Sequence, residues 1–199
     1  MVRKVLEGVV CFAVVFLAGG CHAVAAEAKL KIGDAAPDFS GVGTDDKPHS
    51  LAGYKDAKAI VVVFTCNHCP VAVAYQERLV ALQKDYREKG VQVVAVCVSK
   101  GDADSLDAMK KRAADAGFNF PYLRDDSQKS GRDYGATCTP HAFVLDKDRK
   151  LAYTGSIDDN QSAEDVKKQH VRAALDALLE GKQPATSVTR QFGCGIHYE

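Results

Sequence analysis

Two cysteines with two residues between them, Cys66 and Cys69, stand beside His68 in the stretch FTCNHCPVAVAYQERL, residues 64–79. Thiols at this spacing suit a redox couple, a metal clip or a structural staple. Structural zinc needs four ligands, and no second closely spaced Cys/His pair accompanies this one, so no bound metal is expected. A purely structural bridge would close a tiny loop and gain little from chain entropy. Redox chemistry is therefore the favoured reading, cycling between dithiol and disulfide with no added cofactor. An imidazole next to a thiolate stabilises it by charge or hydrogen bonding, which makes His68 the residue expected to tune the couple toward an oxidising potential.

The elements around the motif must hold it in place. AIVVVFT (59–65) is a continuous β-branched apolar run, the pattern of a strand buried on both faces. After it, Val71, Tyr75, Leu79, Leu82 and Tyr86 recur at helical spacing, so one amphipathic helix is expected up to Gly90. The cysteines thus fall where a strand ends and a helix begins. Free N–H groups and the positive end of the helix dipole converge there, and Pro70 suits the first turn because it lacks an N–H. Such a position lowers a cysteine pKa to about 3.5–7.5 from about 8.5, so Cys66 is expected to be the nucleophile and Cys69 the resolving thiol.

Farther on, VQVVAVCVS (91–99) predicts a second buried strand and residues 105–117 a second helix. Strand, helix, strand, helix implies parallel strands joined by crossovers. FPYLRD predicts a short edge strand and DSQKSGRDYG a helical turn, while HAFVLD and LAYTGS are close enough to form a hairpin. Ser162 and Asp165 resemble a capping box opening a last helix that ends at Gly181. The predicted order is β-α-β-α-β-β-α, an α/β fold.

The strand, the C-x-x-C at a helix start and the distant ATCTPHAFVLD together resemble the thioredoxin superfamily. The opening GDAAPDFSGVGTDDKPHSL resembles its redoxin branch, the alkyl hydroperoxide reductase and thiol-specific antioxidant family. The resemblance implies a thioredoxin-like fold, a central mixed β-sheet flanked by helices, over residues 33–181, with 182–199 as a C-terminal extension. It also implies that Thr139 and Pro140 form a cis-proline loop that packs on the cysteines and shapes a substrate groove. The implied activity is thiol-disulfide exchange, with a protein disulfide or dithiol as substrate and a separate redox partner to recycle the couple. The buried acid that many relatives place in the strand before the motif is missing from AIVVVFT.

Two other readings follow from the same likeness. A peroxiredoxin would align Cys69 with its peroxidatic cysteine and act as an antioxidant peroxidase, but Val62 and Cys66 replace the proline and threonine of the Pro-x-x-x-Thr-x-x-Cys pattern. A thioredoxin-fold Cu(I) carrier would bind through both thiolates and a histidine, for which His141 stands just after Pro140.

Cys138 lies two residues before Pro140, and an auxiliary disulfide to Cys194 in FGCGIHY is expected to fasten the C-terminal segment. Cys97, within a predicted strand, reads as a small core residue. Residues 1–26 read as a secretory signal peptide: Arg3 and Lys4, an apolar run from Val9 to Ala18, then small residues before Glu27. Export to the periplasm or another extracytoplasmic compartment follows. The competing reading takes LAGGC as an imperfect lipobox that would anchor the protein to the membrane surface through Cys21. With 26 basic and 26 acidic residues and no basic cluster, nothing points to a nucleic-acid partner.

Overall fold

The computed structural model describes residues 30–199, so the expected signal peptide and Cys21 lie outside the described residues. The central sheet has seven strands: β1 (Ser40–Gly43), β2 (Pro48–Ser50), β3 (Ala59–Phe64), β4 (Val91–Cys97), β5 (Tyr122–Arg124), β7 (His141–Leu145) and β8 (Leu151–Gly155). Their spatial order is β2-β1-β5-β4-β3-β7-β8. The β3/β4 and β4/β5 pairs are parallel, and β3/β7, β7/β8, β1/β5 and β1/β2 antiparallel, which makes the sheet mixed. Five helices flank it: α1 (Pro70–Ala74), α2 (Gln76–Tyr86), α3 (Leu106–Asp115), α4 (Lys129–Tyr134) and α5 (His170–Leu179). A separate two-stranded ribbon pairs β6 (Cys138–Thr139) with β9 (Cys194–Gly195).

The apolar runs become central strands because both sheet faces are covered. Val61 and Val63 turn toward Tyr75, Leu79, Leu82, Met109 and Leu175 of the helical layer. Ile60, Val62 and Phe64 face a second core with Phe39, Leu51, Tyr134 and Phe143. Phe64 and Phe143 meet edge to face at 5.7 Å, a favoured aromatic geometry. β7 and β8 form the expected hairpin.

Three elements differ from the sequence expectation. β5 is not an edge strand, because the β1/β2 hairpin, formed from a stretch expected to be merely extended, adds outside it. The helix after the motif is broken at Tyr75, whose N–H bonds to Ala72 O rather than continuing the α pattern, while its hydroxyl donates to Asp158 at 2.6 Å. The last helix begins at His170: Ser162 makes no side-chain cap, and residues 163–165 form only a short 3-10 turn.

Candidate active site

β3 ends at Phe64, but Thr65 N still bonds to Val96 O at 2.9 Å, so the motif leaves the carboxyl edge of the sheet in a fixed direction. Cys69 caps α1, its sulfur accepting the Ala72 N–H at 3.4 Å, and Pro70 occupies the first turn. The Thr139–Pro140 peptide bond is cis. Thr139 reaches both thiols: its hydroxyl shares a hydrogen bond with Cys66 Sγ at 3.2 Å, and its carbonyl accepts from Cys69 Sγ at 3.1 Å. The motif and the loop seventy residues later therefore form one cluster.

This cluster is almost sealed. Cys66 is 1% exposed and Cys69 0%, whereas the His68 side chain is 49% exposed. His68 Nε2 stands 3.9 Å from Cys66 Sγ, and Nδ1 lies 2.5 Å from Asp104 Oδ2. Two clefts among the described residues, of about 770 and about 800 Å³, are lined without a cysteine.

Asp104 is the group that sequence reasoning missed. It is fully buried, in the loop after β4, and its carboxylate accepts the Asn67 N–H at 2.6 Å while holding His68. Asn67 is fixed in turn by Ala103 O at 2.9 Å and the Tyr122 hydroxyl at 3.1 Å. A buried acid is thus supplied by the loop after the neighbouring strand β4 rather than by the strand before the motif. The available signal was topological: loops after neighbouring parallel strands share one edge of a sheet, which brings GDADS near the motif. Nothing in the sequence distinguishes Asp104 from Asp102 there.

The two thiols sit in opposite electrostatic environments, and the expectation of a Cys66 thiolate does not hold. Burial pushes Cys66 up to about 11, despite hydrogen bonds from the Thr139 hydroxyl and the Cys69 N–H, and the Asp104 carboxylate adds to the rise. Burial also opposes ionisation of Cys69. There the Cys194 thiol, the Ala72 N–H, the Thr139 hydroxyl and the Cys194 N–H together outweigh it and lower the pKa. Cys194 moves the opposite way, because the proton it donates to Cys69 is held in that bond.

The expected Cys138–Cys194 bridge would join two residues that the ribbon does not pair directly. All five described cysteines are free thiols, and β6/β9 pairs Cys138 with Gly195, so Cys194 lies opposite Thr139 instead. Cys138 Sγ donates to Pro140 O at 3.8 Å, and Cys194 packs on the core cluster that contains Cys66 and Cys69. Cys97 is a fully buried core residue.

The nitrogen proposed for a copper carrier is also elsewhere. His141 bonds to the Thr154 hydroxyl at 3.1 Å and packs on Phe143 at 4.4 Å. The ligand atoms that do converge, within 4.8 Å of one another, belong to Cys66, His68 and Asp104, so those three residues could hold a metal ion.

With this geometry in view, comparison with known proteins assigns the family. The Redoxin profile matches residues 31–173. The chain belongs to the redoxin family. This redoxin is 32% identical over 127 residues, 62% of its length and 68% of the relative's, to the thiol-disulfide oxidoreductase ResA of Bacillus thuringiensis (strain Al Hakam). An uncharacterised conserved protein from Geobacillus kaustophilus superimposes with a TM-score of 0.80 at 36% identity, covering 85% of the redoxin and 93% of that chain. A thiol:disulfide interchange protein of the thioredoxin family from Chlorobium tepidum TLS gives a TM-score of 0.53 at 26% identity, covering 64% and 87%. The redoxin thus has the thioredoxin-like fold that its strand order displays.

Proposed function

We propose that this redoxin is a thiol-disulfide oxidoreductase whose working couple is Cys66 and Cys69. The observation that carries the reading is the convergence of both sulfurs on Thr139, beside the cis peptide bond and at the start of α1. In the reductive direction one thiolate attacks a substrate disulfide, a mixed disulfide forms, and the second thiol displaces the substrate to leave Cys66–Cys69 oxidised. A dithiol partner then restores the couple. His68, held by Asp104, acts beside Cys66 as the tuning group, and Thr139 and Pro140 shape the surface that receives the substrate. The relatives named for thiol-disulfide exchange support this class of activity. Export rests on the leader-like residues 1–26, with attachment through Cys21 as its variant. Among the described residues no helix is long and apolar enough to cross a membrane.

A second reading has one observation in its favour. Cys69 is the better-stabilised thiolate, and it is the position a peroxidase would use. Alkylation and mass spectrometry of the reduced protein after exposure to a model protein disulfide or to hydrogen peroxide separates the two. Exchange chemistry predicts rapid loss of both the Cys66 and Cys69 thiols with the disulfide and slow loss with peroxide. Rapid peroxide oxidation of Cys69 that survives Cys66→Ser would establish the peroxidase instead.

A further inference from the structure

The C-terminal segment is laid over the site rather than trailing from it. Val188 bridges to Thr154, Gln191 donates to the Thr137 hydroxyl at 2.9 Å, Ile196 N bonds to Thr137 O at 3.0 Å, and the Tyr198 hydroxyl donates to Ala136 O at 2.7 Å. Between these anchors β9 pairs with the residues just before Pro140. Cys194 is thereby set opposite Thr139, the residue whose carbonyl accepts the Cys69 thiol proton at 3.1 Å, and the Cys69 and Cys194 thiols shift each other's ionisation in opposite directions. It packs on the core cluster that contains Cys66 and Cys69, yet of the five described cysteines it is the one that is not buried.

We propose that Cys194 is a third redox thiol, which takes the disulfide from Cys66–Cys69 by bonding to Cys69 and so carries it from the sealed couple to the surface. This rests on the reading of Cys66–Cys69 as the working couple. In the transfer the Cys194 thiolate attacks Cys69 Sγ. The Cys69–Cys194 bond forms as the Cys66–Cys69 bond breaks, and Cys66 leaves as a thiolate that takes up the proton Cys194 gave up. No electrons enter or leave. A thiolate of a dithiol partner then attacks Cys194, Cys69 departs as the thiolate, and the partner's second thiol releases Cys194. The partner leaves as a disulfide and the redoxin is reduced by two electrons.

The test is disulfide mapping of the whole protein equilibrated in glutathione buffers over a range of potentials, then acid-quenched, alkylated and digested. Cys66–Cys69 and Cys69–Cys194 carry the same number of electrons, so both should be found, in a ratio that does not change with the buffer potential. In Cys194→Ser all oxidised Cys69 should be bonded to Cys66, and reduction by dithiothreitol should slow by at least about tenfold, because the one sulfur that is not fully buried is gone. A Cys66–Cys69 bond with Cys194 alkylated at every potential overturns the inference and leaves the couple standing. A Cys69–Cys194 bond with Cys66 alkylated throughout overturns both the couple and the transfer as written. Linkage of Cys194 to Cys138 overturns the inference, and absence of any bond to Cys69 overturns inference and couple together.

Discussion

Asp104 connects the buried sulfur to the exposed imidazole. Its carboxylate raises the Cys66 pKa and holds His68, so replacing it by Asn should lower the pH at which Cys66 becomes reactive. The pH dependence of Cys66 alkylation tests this, and an unchanged or higher midpoint would show that the charge is not felt at the sulfur. The same substitution should destabilise the fold by about 1–3 kcal/mol, since the amide matches the Asn67 and His68 donors poorly. His68→Ala removes the imidazole beside Cys66. The couple should become more reducing by about 30 mV, a tenfold change in its equilibrium with glutathione. A shift to a more oxidising potential would assign His68 the opposite role. At this scale Cys66, Cys69 and His68 were legible from type and spacing, and Thr139 and Pro140 only through the family resemblance. Asp104 and the Cys69–Cys194 contact did not, because each depends on which loops the sheet brings together.

The C-terminal ribbon depends on one backbone position. Gly193 has φ +148°, and a Cβ there would lie 2.0 Å from Thr139 O, so no side chain fits while β9 stays paired. Gly193→Ala should therefore lift β9 from Thr139 at a cost of about 1–3 kcal/mol, with faster amide exchange at 194–196 and readier alkylation of Cys69. Unchanged exchange there would mean that the ribbon tolerates the added methyl. The continuous apolar runs made β3 and β4 readable, the helical period made α2 readable but not the break at Tyr75, and the polar turn gave the β7/β8 hairpin. The two-residue strands β6 and β9 carry no pattern, since pairing across 55 residues writes nothing into four. The start of α5 was misplaced because a Ser-x-x-Asp sequence also fits the short 3-10 turn found there.

For the molecule as a whole, burial keeps many ionisable groups neutral. Cys66 and Cys138 are pushed from an ordinary 9.0 up to about 11 and Cys97 to about 12, mainly by burial. Above pH 9 the unfolded chain gives up these protons while the folded protein keeps them, so the unfolded state binds fewer protons and stability falls as pH rises. Urea denaturation of the reduced protein should show this loss from about pH 9 to about pH 11, at up to about 1.4 kcal/mol per pH unit for each thiol. Stability that held constant across that window would mean that the thiols are not shielded from water.

The ribbon over the couple also has a consequence in time. Cys66 and Cys69 precede Cys194 by well over a hundred residues, so a chain emerging from its N-terminus presents the couple long before the segment that covers it. Contacts so distant in sequence close late. During that interval the two thiols are open to any oxidant, and a disulfide made then is enclosed when the last strand docks.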